Sequence, residues 1–210
     1  MLHSFPLVER LPPDAPLYGL DIESDTTIDG LDPACSAVVA VAIVGEGVEV
    51  VIRGPEPELL TELDDVIARL PTGVLVTWNG ARFDLPFLAD RAAVSAIPLG
   101  LELWTDPWGQ PEGQPLPGHS DVRYRAQWHG HAHLDGYRLY RSDAGRGLGL
   151  SCALKNLARL VGLQPVQVDR TRIHELSDDE LCAYVASDAY LARELVARRG
   201  RVALASADLR

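Results

Sequence analysis

The chain has 210 residues, 47% of them hydrophobic and 23% charged, the profile of one packed domain and not of a disordered or fibrous protein. Its net charge of −11 argues against a broad basic surface for nucleic acid, but not against an enzyme that holds one strand end at a metal site, where bound cations supply positive charge. No apolar run approaches the roughly 18 residues of a membrane span. Residues 1–14 lack the pattern of a signal peptide, and Cys35, Cys152 and Cys182 have no metal-ligand spacing, so a cytoplasmic protein with reduced thiols is expected.

The first element is the stretch Tyr18-Gly-Leu-Asp-Ile-Glu23. Leu17, Leu20 and Ile22 mark a buried strand, and residues two apart on a strand share a face, so Asp21 and Glu23 project together. Crowded carboxylates repel one another and resist burial unless a proton or a cation neutralises them; oxygen ligands suit Mg²⁺ or Mn²⁺. The plainer reading is a strand end whose acids face water.

A polar loop, 24–33, follows. Ala37 to Val44 and Val48 to Ile52 then form a hairpin around Gly45-Glu46-Gly47. Leu59, Leu60, Leu63, Val66, Ile67 and Leu70 recur at helical spacing over 58–70. Val74 to Thr77 reads as a short central strand, and a second helix is expected from Asp84 to about Ala93. The Pro/Gly-rich stretch around 105–120 reads as an insertion. His131 to Asp135 is a further strand, Ser151 to Val161 a helix, and Ser177-Asp-Asp-Glu180 a capping box opening a last helix that runs to about Arg199. This order predicts an α/β domain with a mixed sheet of five to six strands flanked by helices.

Three clusters stand out. They are Asp21-x-Glu23; Thr77-Trp-Asn79-Gly-Ala-Arg-Phe83-Asp84, where a strand turns into a helix; and Tyr184-x-x-x-Asp188, whose spacing puts both side chains on one helix face. Each has a structural reading. Asp84 suits the first turn of any helix, Tyr184 suits a core, and Asp188 suits a solvated surface. Their joint occurrence, in this order and on these elements, points to chemistry.

Asp-Ile-Glu, Asn-x-x-x-Phe-Asp and Tyr-x-x-x-Asp together resemble the three motifs of the DEDD superfamily of 3′–5′ exonucleases, tyrosine subclass. The segments 77–88 and 184–191 are most similar to the proofreading domain of family B DNA polymerases; ribonuclease D is a weaker likeness. The resemblance implies a ribonuclease H-like fold with one domain over 1–210 and a core at about 17–199. It implies that Asp21, Glu23, Asp84 and Asp188 hold two divalent ions, Mg²⁺ or Mn²⁺, and that Tyr184 positions the attacking water. The expected activity is a stand-alone 3′–5′ exonuclease on single-stranded ends, DNA favoured over RNA, releasing nucleoside 5′-monophosphates. The chain ends 22 residues after Asp188, so no attached polymerase is expected. A polymerase or repair factor is an expected protein partner, and no membrane is involved. The competing readings are a ribonuclease D-like RNA exonuclease, an endonuclease of the same fold, and a non-catalytic binding module.

Further residues have two readings each. Asn79 bonds substrate or fixes its turn, and Phe83 stacks on a terminal base or fills the core. Asp135 is a supporting acid. Arg138, Arg141, Arg146 and Lys155 track the nucleic-acid backbone or are surface charge. His129, His131 and His133 alternate, but a fourth zinc ligand is not evident, and surface histidines are expected.

Overall fold

The computed structural model describes residues 14–105 and 124–207. The expected insertion lies, after Thr105, outside the described residues. Strands β1 (Leu17–Ser24), β2 (Val38–Gly45) and β3 (Val48–Arg53) form an antiparallel meander. Helix α1 (Glu56–Arg69) leads to β4 (Val74–Thr77), which is followed by α2 (Asp84–Ser95), β5 (Leu101–Thr105), β6 (Tyr124–Trp128) and β7 (His131–Asp135). Short helices α3 (Gly136–Tyr140), α4 (Arg146–Leu148) and α5 (Leu154–Leu160) precede the long α6 (Asp178–Ala207).

The sheet has seven strands among the described residues, in the order β3-β2-β1-β4-β7-β6-β5, with β1, β4 and β7 parallel at its centre. It is wider than the five to six strands expected because β5 and β6 pair antiparallel beyond β7. Leu101-Glu-Leu-Trp-Thr and Tyr-Arg-Ala-Gln-Trp128 carry polar residues between their apolar ones. This is the alternation of strands with one open face, and it is easily taken for loop.

The two faces of β1 are sorted by residue parity. Tyr18, Leu20 and Ile22 point into the main core with Leu59, Leu60, Leu63 and Ile67 of α1 and Leu85, Phe87 and Leu88 of α2. Leu17, Gly19, Asp21 and Glu23 face the other way, where α6 packs on β1, β2 and β4 through Tyr184, Val185, Ala189, Ala192 and Val196. The capping box forms as expected: Ser177 N–H donates to Glu180 Oε2 at 2.9 Å, and Glu180 N–H to Ser177 Oγ at 3.4 Å. A buried pair, Arg91 Nε on Glu56 Oε1 at 2.8 Å, joins α2 to α1. Arg91 Nη1 also donates to Pro33 O at 2.7 Å, pinning the loop that leaves the end of β1. Among the described residues no helix is long and apolar enough to cross a membrane.

Candidate active site

The site forms where α6 crosses the end of β1. Gly19 permits that crossing, because a Cβ there would lie 2.0 Å from the carbonyl oxygen of Ala189. Asp188 immediately precedes Ala189 and Tyr184 lies one helical turn before Asp188, while Asp21 and Glu23 follow Gly19 at one and two strand repeats. Carboxylate oxygens of Asp21, Glu23 and Asp188 all come within 4.8 Å of one another. The parity of the strand and the four-residue spacing of the helix are therefore brought face to face.

Asp84 enters from β4. The pairing of Leu17 with Val74 and Gly19 with Val76 sets the end of β4 beside that of β1, and the following turn delivers Asp84 to the first turn of α2. Its carboxylate accepts the N–H of Ile22, between the two acids of β1. Asp84 is electrostatically part of the group, although the tight cluster consists of the other three carboxylates.

Asp135 holds that turn. Its Oδ1 accepts the N–H of Asn79 at 2.9 Å and of Tyr137 at 3.0 Å, and its Oδ2 accepts that of Ala81 at 3.3 Å. Asn79 has φ of +71°, a left-handed conformation that asparagine tolerates better than most residues. Its carbonyl accepts the N–H groups of Arg82 and Phe83, so its backbone builds the turn before Asp84. Phe83 is half-buried with its ring 5.2 Å from that of Phe87, a core contact. Arg138 lies 4.0 Å from Asp135 Oδ2.

Two cations meet the carboxylates. Lys155 Nζ is 3.3 Å from Asp188 Oδ2 and 3.9 Å above the centre of the Tyr184 ring. The second, Arg170, was not singled out by any sequence signal; its charge falls on Tyr184, Glu23, Asp21 and Asp188. Two buried atoms, Tyr184 Oη and Asp188 Oδ1, have no hydrogen-bond partner among the described residues. The Tyr184 hydroxyl is near enough to pull weakly on the Asp188 carboxyl, yet the two make no hydrogen bond of ordinary geometry. Orphaned oxygens beside a knot of carboxylates form the donor set of a hard divalent cation, and these residues fit one.

The electrostatics agree. Burial, then Asp188, Glu23 and Asp84, push Asp21 well above the carboxylate range. Burial raises Glu23 to about 8 against the pull of Arg170, and burial raises Asp84 to about 7. Burial also raises Asp188, with Lys155 opposing. Tyr184 is pushed upward by burial and by Glu23, so its hydroxyl stays protonated.

In metal-free protein these shifts couple folding to proton uptake. Both acids ionise at about pH 4 when unfolded and near 8 and 7 when folded. Their contribution to stability is therefore full below the unfolded values and is lost as pH rises through the folded ones. Thermal melts in EDTA should show Glu23→Gln gaining on wild type between about pH 5 and 8. Parallel curves for the two proteins would contradict the shift.

Two of the three histidines depart from the expected surface position. His131 is buried, accepting the N–H of Gly73 at 3.2 Å and lying 3.1 Å from Ile67 O, so it is a core residue and not a surface one. His133 bonds Thr77 Oγ1 at 2.8 Å, and burial holds it down at about 3. His129 sits in the preceding turn, 2.8 Å from Asp64 Oδ2. The three go to three separate partners, so they do not assemble a zinc site. Alternation alone could not show this, because the partners come from distant parts of the chain.

Residues 31–155, more than half of the chain, match the family described as DNA polymerase family B, exonuclease domain. The chain belongs to this family. Family B exonuclease domains are 3′–5′ exonucleases, hydrolases supported by divalent metal, and the cluster of Asp21, Glu23 and Asp188 suits such an ion. The matched stretch holds Asn79, Phe83, Asp84, Asp135, Arg138 and Lys155. Asp21, Glu23, Tyr184 and Asp188 lie outside it. Among solved structures, the family B DNA polymerase of the hyperthermophilic archaeon Pyrobaculum calidifontis is similar over 90% of this chain, with a TM-score of 0.68 and 22% identity. That likeness is one of fold, the ribonuclease H-like fold of a polymerase exonuclease domain, and this chain spans 25% of the polymerase's length. No curated protein matches the chain.

Proposed function

We propose that residues 17–199 form one exonuclease unit that removes nucleotides from the 3′ end of single-stranded nucleic acid, DNA in preference to RNA, as a tyrosine-type member of the DEDD group. The observation that carries this reading is the meeting of Asp21, Glu23 and Asp188, from a strand and a helix far apart in sequence, within 4.8 Å and beside a buried tyrosine. Membership of a DNA polymerase exonuclease family supports DNA as the preferred polymer.

In this proposal Asp21, Glu23, Asp84 and Asp188 hold two divalent ions, Mg²⁺ or Mn²⁺. Bound there, such ions supply charge neutralisation and Lewis-acid assistance to phosphodiester hydrolysis. The protein's own groups do the placing. Tyr184, protonated and with its hydroxyl unpartnered, orients the attacking water by hydrogen bonding and does not act as a base. Lys155 engages Asp188 Oδ2 and leaves Oδ1 available to a ligand. Asp135 fixes the turn that presents Asn79 and the open edge of the half-buried Phe83 to the terminal nucleotide, while Arg138 lies along the strand's backbone and Lys155 reaches the strand only through Asp188. The product is a nucleoside 5′-monophosphate.

The test is a time course on 5′-labelled single-stranded DNA and RNA of one sequence, with Mg²⁺ or Mn²⁺ and with EDTA as the blank. A ladder shortening from the 3′ end only with metal, and faster on DNA, is expected. Faster loss of RNA would favour the ribonuclease D-like alternative. Binding without shortening would favour a non-catalytic module or a polymerase partner that completes the site.

A further inference from the structure

The segment from α5 to α6 is irregular and polar, yet it is fastened at both ends to the site. Asp169 caps a short 3₁₀ helix, Arg170–Glu175, accepting from Thr171 N–H at 3.0 Å and from its hydroxyl at 2.7 Å. Ile173 is 2% exposed and packs, with Val168, against Leu181, Tyr184 and Val185 of α6. His174 reaches the other side: its N–H donates to Thr26 Oγ1 at 3.3 Å and its Nδ1 lies 2.8 Å from the same hydroxyl, three residues beyond Glu23. Arg170 is thus carried to the junction of α6 with the end of β1.

Its state differs from that of the other cations nearby. Lys155 is committed to Asp188 and to the face of Tyr184, with its side chain 18% exposed. The Arg170 residue is open to solvent, while its charged end dips far enough among its neighbours for burial to oppose the charge, an effect outweighed by Tyr184, Glu23, Asp21 and Asp188. The guanidinium nevertheless makes no hydrogen bond or ion pair with any described residue. A guanidinium whose charge acts on several carboxylates at once would ordinarily lock onto one as a bidentate pair. Here, among the described residues, nothing closes on the five-donor fork. A ligand suited to it arrives from solvent, carries negative oxygens in a compact array, and lies near the groups on which its charge acts, Tyr184 and Glu23 among them. A phosphodiester meets all three conditions, and Arg is the better residue for gripping one.

We propose that Arg170 is a substrate-contacting residue that binds a non-bridging oxygen of the strand's phosphodiester beside Tyr184. This assignment rests on the exonuclease reading above. It adds to the site a grip that ties the strand to the segment between α5 and α6.

The experiment uses the full chain and a short 5′-fluorescein-labelled DNA single strand. Binding is followed by anisotropy in Ca²⁺ over a series of KCl concentrations, alongside trimming in Mn²⁺ and thermal melts. Arg170→Ala should bind about 10- to 100-fold more weakly. Its plot of log affinity against log salt should be shallower by about 0.7, the loss of one phosphate contact to a single strand. Arg170→Lys keeps the charge and loses the fork, so it should retain the wild-type slope with part of the affinity. Wild-type slope in Arg170→Ala, with or without loss of affinity, would overturn the assignment, because Arg170 would then act through the carboxylates or not at all. Wild type that neither trims nor binds any strand would overturn the exonuclease reading, and this assignment with it; trimming and binding matched by Arg170→Ala would remove this assignment alone.

Discussion

Asp21→Asn should abolish 3′-end trimming and, in the same protein, raise the melting temperature of the metal-free form. Asp21 is pushed well above the carboxylate range by burial and by three neighbouring acids, with Arg170 opposing them. Replacing its carboxyl by an amide removes a partly desolvated charge, crowded by three other acids, that a proton or a cation must neutralise. The folded apo protein then gains stability, at roughly 2–4 °C for each kcal/mol relieved in a chain of this length. Activity moves the other way. The amide is a poor ligand for a hard cation, and losing one electrostatic element of a site of this kind costs on the order of 10³-fold in rate. Melts in EDTA and a trimming assay on labelled DNA read the two effects from one preparation. A variant that melts lower than wild type without metal would show Asp21 to be a structural acid, and undiminished trimming would remove it from the proposed site.

Gly19→Ala is expected to damage fold and function together. The added Cβ would fall 2.0 Å from the Ala189 oxygen and 2.8 Å from its carbonyl carbon, both backbone atoms that cannot rotate aside. Helix α6 would have to lift off β1. Overpacking of this kind costs about 3 kcal/mol, the upper part of the usual range, which lowers the melting temperature by roughly 6–12 °C. Because Tyr184 and Asp188 ride on the displaced helix, trimming at a temperature where the protein remains folded should fall by about 10²-fold, the scale for a misplacement near 1 Å. Gly147→Ala is the control, since a Cβ there meets nothing within 4 Å and its change should be silent. A Gly19→Ala protein with wild-type stability would mean that α6 accommodates the methyl without moving.

The buried pair that binds α1 to α2 and the acids at the end of β1 illustrate two uses of charge in one fold. Glu56 is matched by the forked guanidinium of Arg91, so its burial is tolerated with no further ligand. Asp21, Glu23 and Asp188 have cations nearby but too few of them, and two oxygens of the site remain unbonded. The first arrangement is a finished structural contact. The second is incomplete without a ligand, which is why the cluster reads as a site and the pair does not.

Local physics sufficed for much of this. The two-residue repeat of β1 put Asp21 and Glu23 on one face, the four-residue spacing of α6 put Tyr184 beside Asp188, and the Ser177–Glu180 box opened the helix where the structure opens it. The turn at Asn79 and the helix start at Asp84 were likewise visible, because strand, turn and helix signals are set by neighbours in the chain. What the sequence alone determined about this protein is therefore which side chains share a face.

Only the tertiary structure decided which faces meet. Arg170 lies in a polar run with no periodic signal, and its place beside Glu23 depends on Ile173 reaching α6 and His174 reaching Thr26. The pairing of Lys155 with Asp188, the burial of His131 under Ile67, and the two added strands at the sheet edge depend likewise on contacts between segments far apart in the chain. Such contacts are chosen by the packing of whole elements, through the absence of a side chain at Gly19 as much as through any charge, and packing leaves no local pattern to read.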